Sequence, residues 1–196
     1  MTSHLLAIAW GSSLEEAEEK SAGRQVPLLL YFSQAPECLG CAAMDRFSFE
    51  DPRVGEYVND HFVPVRLMVR ENHALARRHV VLWTPVLLVV DENARVHDRI
   101  DGYLPAAELV AHLALALGRY ELACGRPERA AEALSGVLTH HAGTEMAAQA
   151  AWWLGIAHFR QSQDSARLRA EWTELARAHP RSPWAARTRI PATDAG

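Results

Sequence analysis

The sequence predicts an α/β domain, a mixed sheet with helices on both faces, followed by an all-α region of helical hairpins. Three observations carry that expectation. Apolar runs of strand length recur between segments of helical character. A turn followed by an alternating segment closes the strand series. Beyond about residue 118 strand signals cease, and alanine, leucine and tryptophan dominate.

Ser13-Leu14-Glu15-Glu16 has the form of a capping box and opens a helix through about Gly23. Val26-Pro27-Leu28-Leu29-Leu30-Tyr31-Phe32 is continuously apolar, as a strand covered on both faces must be, with Pro27 at its start where a missing donor does little harm. Residues 42 to about 49 continue as a helix. Asp51 is a good N-cap and Pro52 suits the first helical position of the next one. Residues 62–69 read as a second strand, residues 71–79 as a short helix, and the β-branched run 86–90 as a third strand. Asp91-Glu92-Asn93-Ala94 is a turn, residues 95–100 alternate as a hairpin partner, and a long helix starts at Pro105. This order implies parallel crossovers and a terminal hairpin.

In the C-terminal region Leu117-Gly118-Arg119-Tyr120 and Leu154-Gly155-Ile156-Ala157 echo each other, each followed by a short polar turn and a second amphipathic segment. The spacing, about 37 residues, is near that of tetratricopeptide repeats. The expected organisation is residues 1–117 as the α/β domain, 118–187 as a tetratricopeptide-like helical extension, and 188–196 as a frayed tail.

Composition narrows the function classes. The formal net charge is −4, and the 20 basic residues form no cationic run, which speaks against nucleic acid as a partner. No stretch of about 18 apolar residues suggests a membrane span, and the N-terminus lacks the basic start of a secretory signal. Three cysteines are too few, and odd in number, for a disulfide-stapled secreted scaffold. A reducing, cytoplasmic setting is expected, with no cofactor and no resident metal.

Cys38-Leu39-Gly40-Cys41 follows the first strand and starts a helix. Two cysteines at this spacing can close a small disulfide. A helix start offers free amides and a positive dipole end, which favour the thiolate, the attacking species. Cys38 is the expected nucleophile and Cys41 the resolving thiol. A lone pair can also be half of a zinc site, which needs a second pair or well-spaced histidines; Cys124 is distant, and His61, His73 or His79 would have to fold back. Cys124 itself is expected to be buried on a helix.

Trp83-Thr84-Pro85 stands immediately before the third strand. Together with the cysteine pair it makes residues 8 to 117 resemble the thioredoxin superfamily, in which a CxxC ends the first central strand and a Thr-Pro opens a later one. The resemblance extends to Met44, Asp51-Pro52-Arg53-Val54 and Phe62-Val63-Pro64-Val65, and it is closest to the members with a longer helical insert after the active site. It implies that Pro85 is a cis-proline beside the disulfide and that Thr84 offers its backbone to the substrate chain. It implies protein disulfides as substrates and a thiol reductase as recycling partner. Three departures stand out: Glu37 replaces the usual tryptophan, Leu39-Gly40 replaces the usual dipeptide, and Tyr31 takes the place of a buried aspartate that assists proton transfer. Glu37 should oppose thiolate formation at Cys38.

The function expected is thiol–disulfide exchange, as a protein disulfide oxidoreductase. Two alternatives remain. The chain is an interaction module whose helical extension binds a protein partner, or it is a CxxC metal-binding protein. Trp152, Trp153 and Trp172, with Tyr120 and Phe159, form either helix core or a groove for that partner.

Overall fold

The structure, a computed structural model, describes residues 7–189. The chain divides into two compact units with the boundary between Val110 and Ala111. Of the tail expected from residue 188, residues 190–196 lie outside the described residues.

In the first unit α1 (Leu14–Arg24) begins where Ser13 accepts from the Glu16 amide. β1 (Leu28–Ser33) is buried along its whole length. A short helix α2 (Leu39–Ala43) runs directly into a π-helical turn, Met44–Ser48. The regular helix expected over residues 42–49 is thus widened by one residue per turn, a feature common near functional sites. The widened turn is tied down from outside: Ser48 donates to the Leu104 carbonyl at 2.5 Å, and the Leu104 amide donates to Met44 Sδ at 3.4 Å. α3 (Pro52–His61) is capped by Asp51, which accepts from the Arg53 amide at 2.9 Å. β2 (Val63–Met68), α4 (His73–Arg78), β3 (Val86–Val90) and β4 (Val96–Asp101) follow.

The sheet order is β2-β1-β3-β4. β1 and β2 are parallel, with Leu28 opposite Val63 and Ser33 opposite Met68. β3 runs antiparallel to β1, Phe32 facing Val86 and Leu28 facing Val90, and β4 is antiparallel to β3. Only one of the two expected crossovers is therefore parallel. The helix between them is short: the six residues of α4 span about 9 Å at 1.5 Å each, against about 20 Å for a six-residue strand. It does not run the length of the sheet as a crossover helix does, and β3 enters at the end where β1 and β2 stop. That end is also where the cysteine pair follows Ser33.

One face of the sheet carries the alternate residues Leu28, Leu30, Phe32, Val65, Leu67, Val86, Leu88 and Val90, packed with Ala17 of α1 and Ala76 of α4. On β1 the intervening Tyr31 contacts Trp10 and Phe49, with ring centroids 5.4 and 4.9 Å away.

α5 (Ala106–Ala123) contains the unit boundary. The second unit continues with α6 (Pro127–His140), α7 (Met146–Ser162), α8 (Ser165–Ala178) and α9 (Pro183–Arg187). α6 packs along α7, α7 along α8, and α9 closes against both α7 and α8. The two glycines of the sequence echo have a shared purpose. A Cβ on Gly118 would come within 2.5 Å of the Leu134 side chain, and one on Gly155 within 2.9 Å of the Trp172 indole. Each glycine lets the following helix come close. The tryptophans are half-buried: Trp152 stacks on Trp172 at 5.6 Å and meets Trp184 at 5.3 Å, so Pro183-Trp184 folds back onto the helices. Cys124 corrects the sequence expectation. It is exposed, because it lies just past the last turn of α5 in the Cys124-Gly125 turn rather than on the helix's packed face.

Candidate active site

Cys38 and Cys41 form a disulfide with their Cα atoms 5.2 Å apart. Cys38 is the N-cap of α2, and its Sγ accepts from the Cys41 amide at 3.1 Å. The two sulfurs differ in access: Cys41 is fully buried, while Cys38 is partly exposed. A helical start places the second cysteine one turn inward, so the asymmetry follows from the spacing.

Thr84 and Pro85 arrive from the opposite side. The peptide bond between them is cis, as is Ala35–Pro36, which the sequence did not signal. Both residues are buried. The Thr84 hydroxyl donates to Cys38 Sγ at 3.3 Å, and the Thr84 carbonyl oxygen lies 3.3 Å from the same sulfur. Gly40 packs on the proline ring: a Cβ there would sit 2.8 Å from Pro85 Cδ. All four residues named from the sequence are therefore in one place, although 46 residues separate Cys38 from Thr84.

Cys38 lies in a groove of about 720 Å³ that Gly40, Met68, Arg70, Glu37 and Thr84 help to line. Its rim was not anticipated. Leu39, Leu82 and Trp83 are 89 %, 85 % and 78 % exposed, an apolar collar around the accessible sulfur. All three line the same groove as Cys38. In the sequence Trp83 stands out only as the neighbour of Thr84-Pro85. Glu37 and Arg70 supply one charge of each sign.

Tyr31, at the position where the resemblance puts an aspartate, is fully buried. Burial pushes its phenol up to about 12. The Arg66 guanidinium lies 5.2 Å from its ring and is bonded to Asp45 at 2.6 Å. Ser33 beside the phenol pulls against that upward shift, although no protein hydrogen bond of normal geometry reaches the phenol oxygen. Among the described residues no group of three or more His, Cys, Asp or Glu side chains could hold a metal ion, so His61, His73 and His79 do not complete a zinc site with the cysteine pair. Among those residues, too, no helix is long and apolar enough to cross a membrane.

Comparison with known proteins agrees with this geometry. The sequence profile of a family described as a thioredoxin-like domain matches residues 14–117. The chain is 34% identical over 116 residues to the thiol:disulfide interchange protein DsbD of Haemophilus ducreyi, and 30% identical over 113 residues to that of Salmonella typhi. Each match covers 55% of this chain but 20% and 19% of the relative, so the chain spans about a fifth of the length of these curated proteins. Among solved structures, the DsbH oxidoreductase superposes with a TM-score of 0.51 at 21% identity, covering 60% of this chain and 90% of that one, a likeness of fold.

Proposed function

Because the chain belongs to the thioredoxin-like domain family, we propose that it is a thiol–disulfide oxidoreductase acting on polypeptide disulfides. The observation that carries this reading is the unequal access of the two sulfurs in the Cys38–Cys41 disulfide. In the reduced pair the Cys38 thiolate attacks a substrate disulfide. The substrate S–S bond breaks, a mixed disulfide forms, and one substrate thiolate leaves. The buried Cys41 thiolate then attacks Cys38 Sγ from within, closing the pair and expelling the second substrate thiol. Two electrons pass to the substrate, and a thiol reductase must return them. The reverse sequence oxidises a dithiol, and the reduction potential decides which way the protein runs.

The groove supports a polypeptide rather than a small anionic thiol. Its rim is apolar, and its single Arg70 is offset by Glu37. In this reading Thr84 and Pro85 hold the extended substrate backbone beside Cys38. The cytoplasmic setting is part of the proposal and rests on the small, odd cysteine count. We further propose that the C-terminal helices are tetratricopeptide-like and engage a protein partner. The repeated close-approach glycines and the half-buried Trp152, Trp172 and Trp184 support that. Partner binding should then survive Cys38→Ser/Cys41→Ser and fail when these tryptophans are replaced.

The test of the redox reading is titration of the pair in defined thiol–disulfide buffers, with its state read by alkylation and mass. A reversible transition near about −270 mV marks a reductant and one near about −120 mV an oxidant. Cys41→Ser should accumulate mixed disulfides. A pair that never opens and closes reversibly removes the proposal.

A further inference from the structure

We infer that Arg99 is a positioning residue for the substrate-binding segment: its guanidinium holds the turn that delivers Leu82, Trp83 and Thr84 to the groove beside Cys38. The inference rests on the oxidoreductase reading above and deepens it by naming what sets that segment in place.

The turn at the end of α4 carries a residue unsuited to its backbone. The Val80 amide donates to the Arg77 carbonyl at 3.1 Å, and the Val81 amide to the Ala76 carbonyl at 2.9 Å. This pairing closes a helix through one left-handed residue, and glycine is the usual choice there. Here that residue is Val80, with φ at 52°. A β-branched side chain is strained in this region. Val80 is also 59 % exposed, so burial of its side chain does little to offset the strain. Such conformations persist where the surroundings impose them, and they concentrate at functional sites.

Arg99 supplies the constraint. It stands opposite Leu88 on β4, and cross-strand neighbours project to the same face of a sheet, here the face on which Ala76 of α4 packs. Its Nη1 donates to the His79 carbonyl at 2.8 Å and its Nη2 to the Val80 carbonyl at 3.1 Å. Those carbonyls flank the strained turn, at the helix end where a cation is favoured. Arg99 Nε donates to the Asp101 carboxylate, 2.8 and 2.9 Å from its two oxygens, which fixes the plane of the fork. A rigid guanidinium serves all three acceptors at once, as a single ammonium cannot.

The other end of the segment is tied to the same strand. Asp101 pairs with Val86, and the Gly102 amide donates to the Pro85 carbonyl at 2.8 Å. Residues 81–84 lie between these two anchors. The exposed Leu82 and Trp83 gain little support from packing, so their placement depends on where the chain leaves Val80 and where it enters β3. Backbone pairing sets the second point, and the Arg99 side chain sets the first.

Arg99→Gln removes the fork, and Val80→Gly removes the strain that the fork has to hold. The full chain, reduced and freed of reductant, is mixed with insulin as a polypeptide disulfide or with 2-hydroxyethyl disulfide as a small neutral one. Oxidation of Cys38 and Cys41 is followed by quenched alkylation and mass. Arg99→Gln is expected to raise the half-saturating insulin concentration about tenfold, the scale of one lost charge-assisted hydrogen bond, with the maximal rate within about twofold. The reaction with the small disulfide, which does not need the segment, should fall about twofold at most. Glycine takes the left-handed turn without strain, so in the Val80→Gly background Arg99→Gln should raise the insulin concentration only about threefold or less, a coupling read from the four-protein cycle. Should Arg99→Gln not fold alone, Val80→Gly must restore the fold, and a double variant that stays unfolded overturns the assignment. Equal losses with both disulfides, an unchanged half-saturating concentration, or a penalty undiminished by Val80→Gly overturns it as well. If the unsubstituted protein is oxidised by neither disulfide, the oxidoreductase reading fails; if it is oxidised and the Arg99 expectations are not met, only the role of Arg99 fails.

Discussion

Replacing Gly40 by alanine tests how tightly the cysteine turn is fitted to the proline loop. In α2 the change should be favourable on backbone grounds, by about 1 kcal/mol, because glycine carries the larger entropy cost in a helix. The contact argues the other way. The new Cβ would sit 2.8 Å from Pro85 Cδ, where ordinary contact begins at 3.4 Å. The ring atom is bound to the Thr84–Pro85 peptide and cannot swing aside. The two segments must separate by roughly 0.6 Å, and overpacking of this kind costs about 1–3 kcal/mol. Net destabilisation is then roughly 0–2 kcal/mol in denaturant unfolding of the oxidised protein. The functional effect should be larger than the global one. The 3.3 Å bond between Thr84 Oγ1 and Cys38 Sγ would lengthen to nearly 4 Å, and Cys38 alkylation should slow at neutral pH. Gly23→Ala in α1 is the control, since its Cβ meets nothing within 4 Å; it should stabilise by about 0.5–1 kcal/mol. If Gly40→Ala stabilises as much as the control and leaves alkylation unchanged, the proline loop is not a fixed wall and the reasoning is wrong.

Trp83→Ala removes the largest side chain of the apolar rim, and kcat/KM for a polypeptide disulfide should fall about tenfold, or about 1.4 kcal/mol. A small uncharged disulfide should be affected much less, and equal losses for both would argue against a docking role. Gly118→Ala should cost about 1–3 kcal/mol through collision with Leu134, whereas Gly136→Ala, with nothing within 4 Å, should be neutral or stabilising; thermal melting of the two variants decides. His79 is buried, and burial, then Arg78 and Arg99, lower its pKa below the usual 6.5. The unfolded chain therefore takes up a proton before the folded one does. Stability from this residue is complete above pH 6.5 and declines as pH falls toward the folded-state value. His79→Gln should flatten the stability profile in that window, and an unchanged slope would refute the assignment.

The strands were legible because burial on both faces demands what the sequence shows. Residues 28–32 and 86–90 have no polar alternation, and both segments are buried throughout. Caps were legible for the same local reason: Ser13 and Asp51 serve the amides that their side chains can reach. The direction of β3 was not, because nothing within residues 86–90 distinguishes a strand with a parallel neighbour from one with an antiparallel neighbour. Nor was the rim. Leu82 and Trp83 are apolar next to an apolar strand, and pattern alone cannot distinguish a covered residue from one awaiting a partner. The cysteine pair was found by spacing and Thr84-Pro85 by its place before a strand. The bond between the Thr84 hydroxyl and Cys38 joins residues 46 apart, and no local signal encodes it.

Tyr31 shows how the site can keep the geometry of its family while changing its acid–base chemistry. A buried carboxylate at this position can ionise near neutral pH and exchange protons with a thiol. A phenol pushed up to about 12 cannot. It stays neutral through the range in which thiols titrate. The nearby charges belong instead to Arg66 and Asp45, which satisfy each other at 2.6 Å. Ser33, the polar neighbour on the same strand, accepts from the Ala35 amide at 3.2 Å and pulls against the upward shift of the phenol, but no protein hydrogen bond of normal geometry reaches the Tyr31 hydroxyl. An orphaned buried hydroxyl is a cost with no proton-transfer return, so Tyr31→Phe should raise stability by about 1 kcal/mol. The ring contacts with Trp10 and Phe49 are kept in that variant. The rate at which Cys41 resolves a mixed disulfide should have the same pH dependence with and without the hydroxyl, measured by rapid-quench alkylation. A loss of stability, or a shift of the resolving step to higher pH, would mean that the hydroxyl is engaged after all and that Tyr31 has inherited part of the missing acid's role.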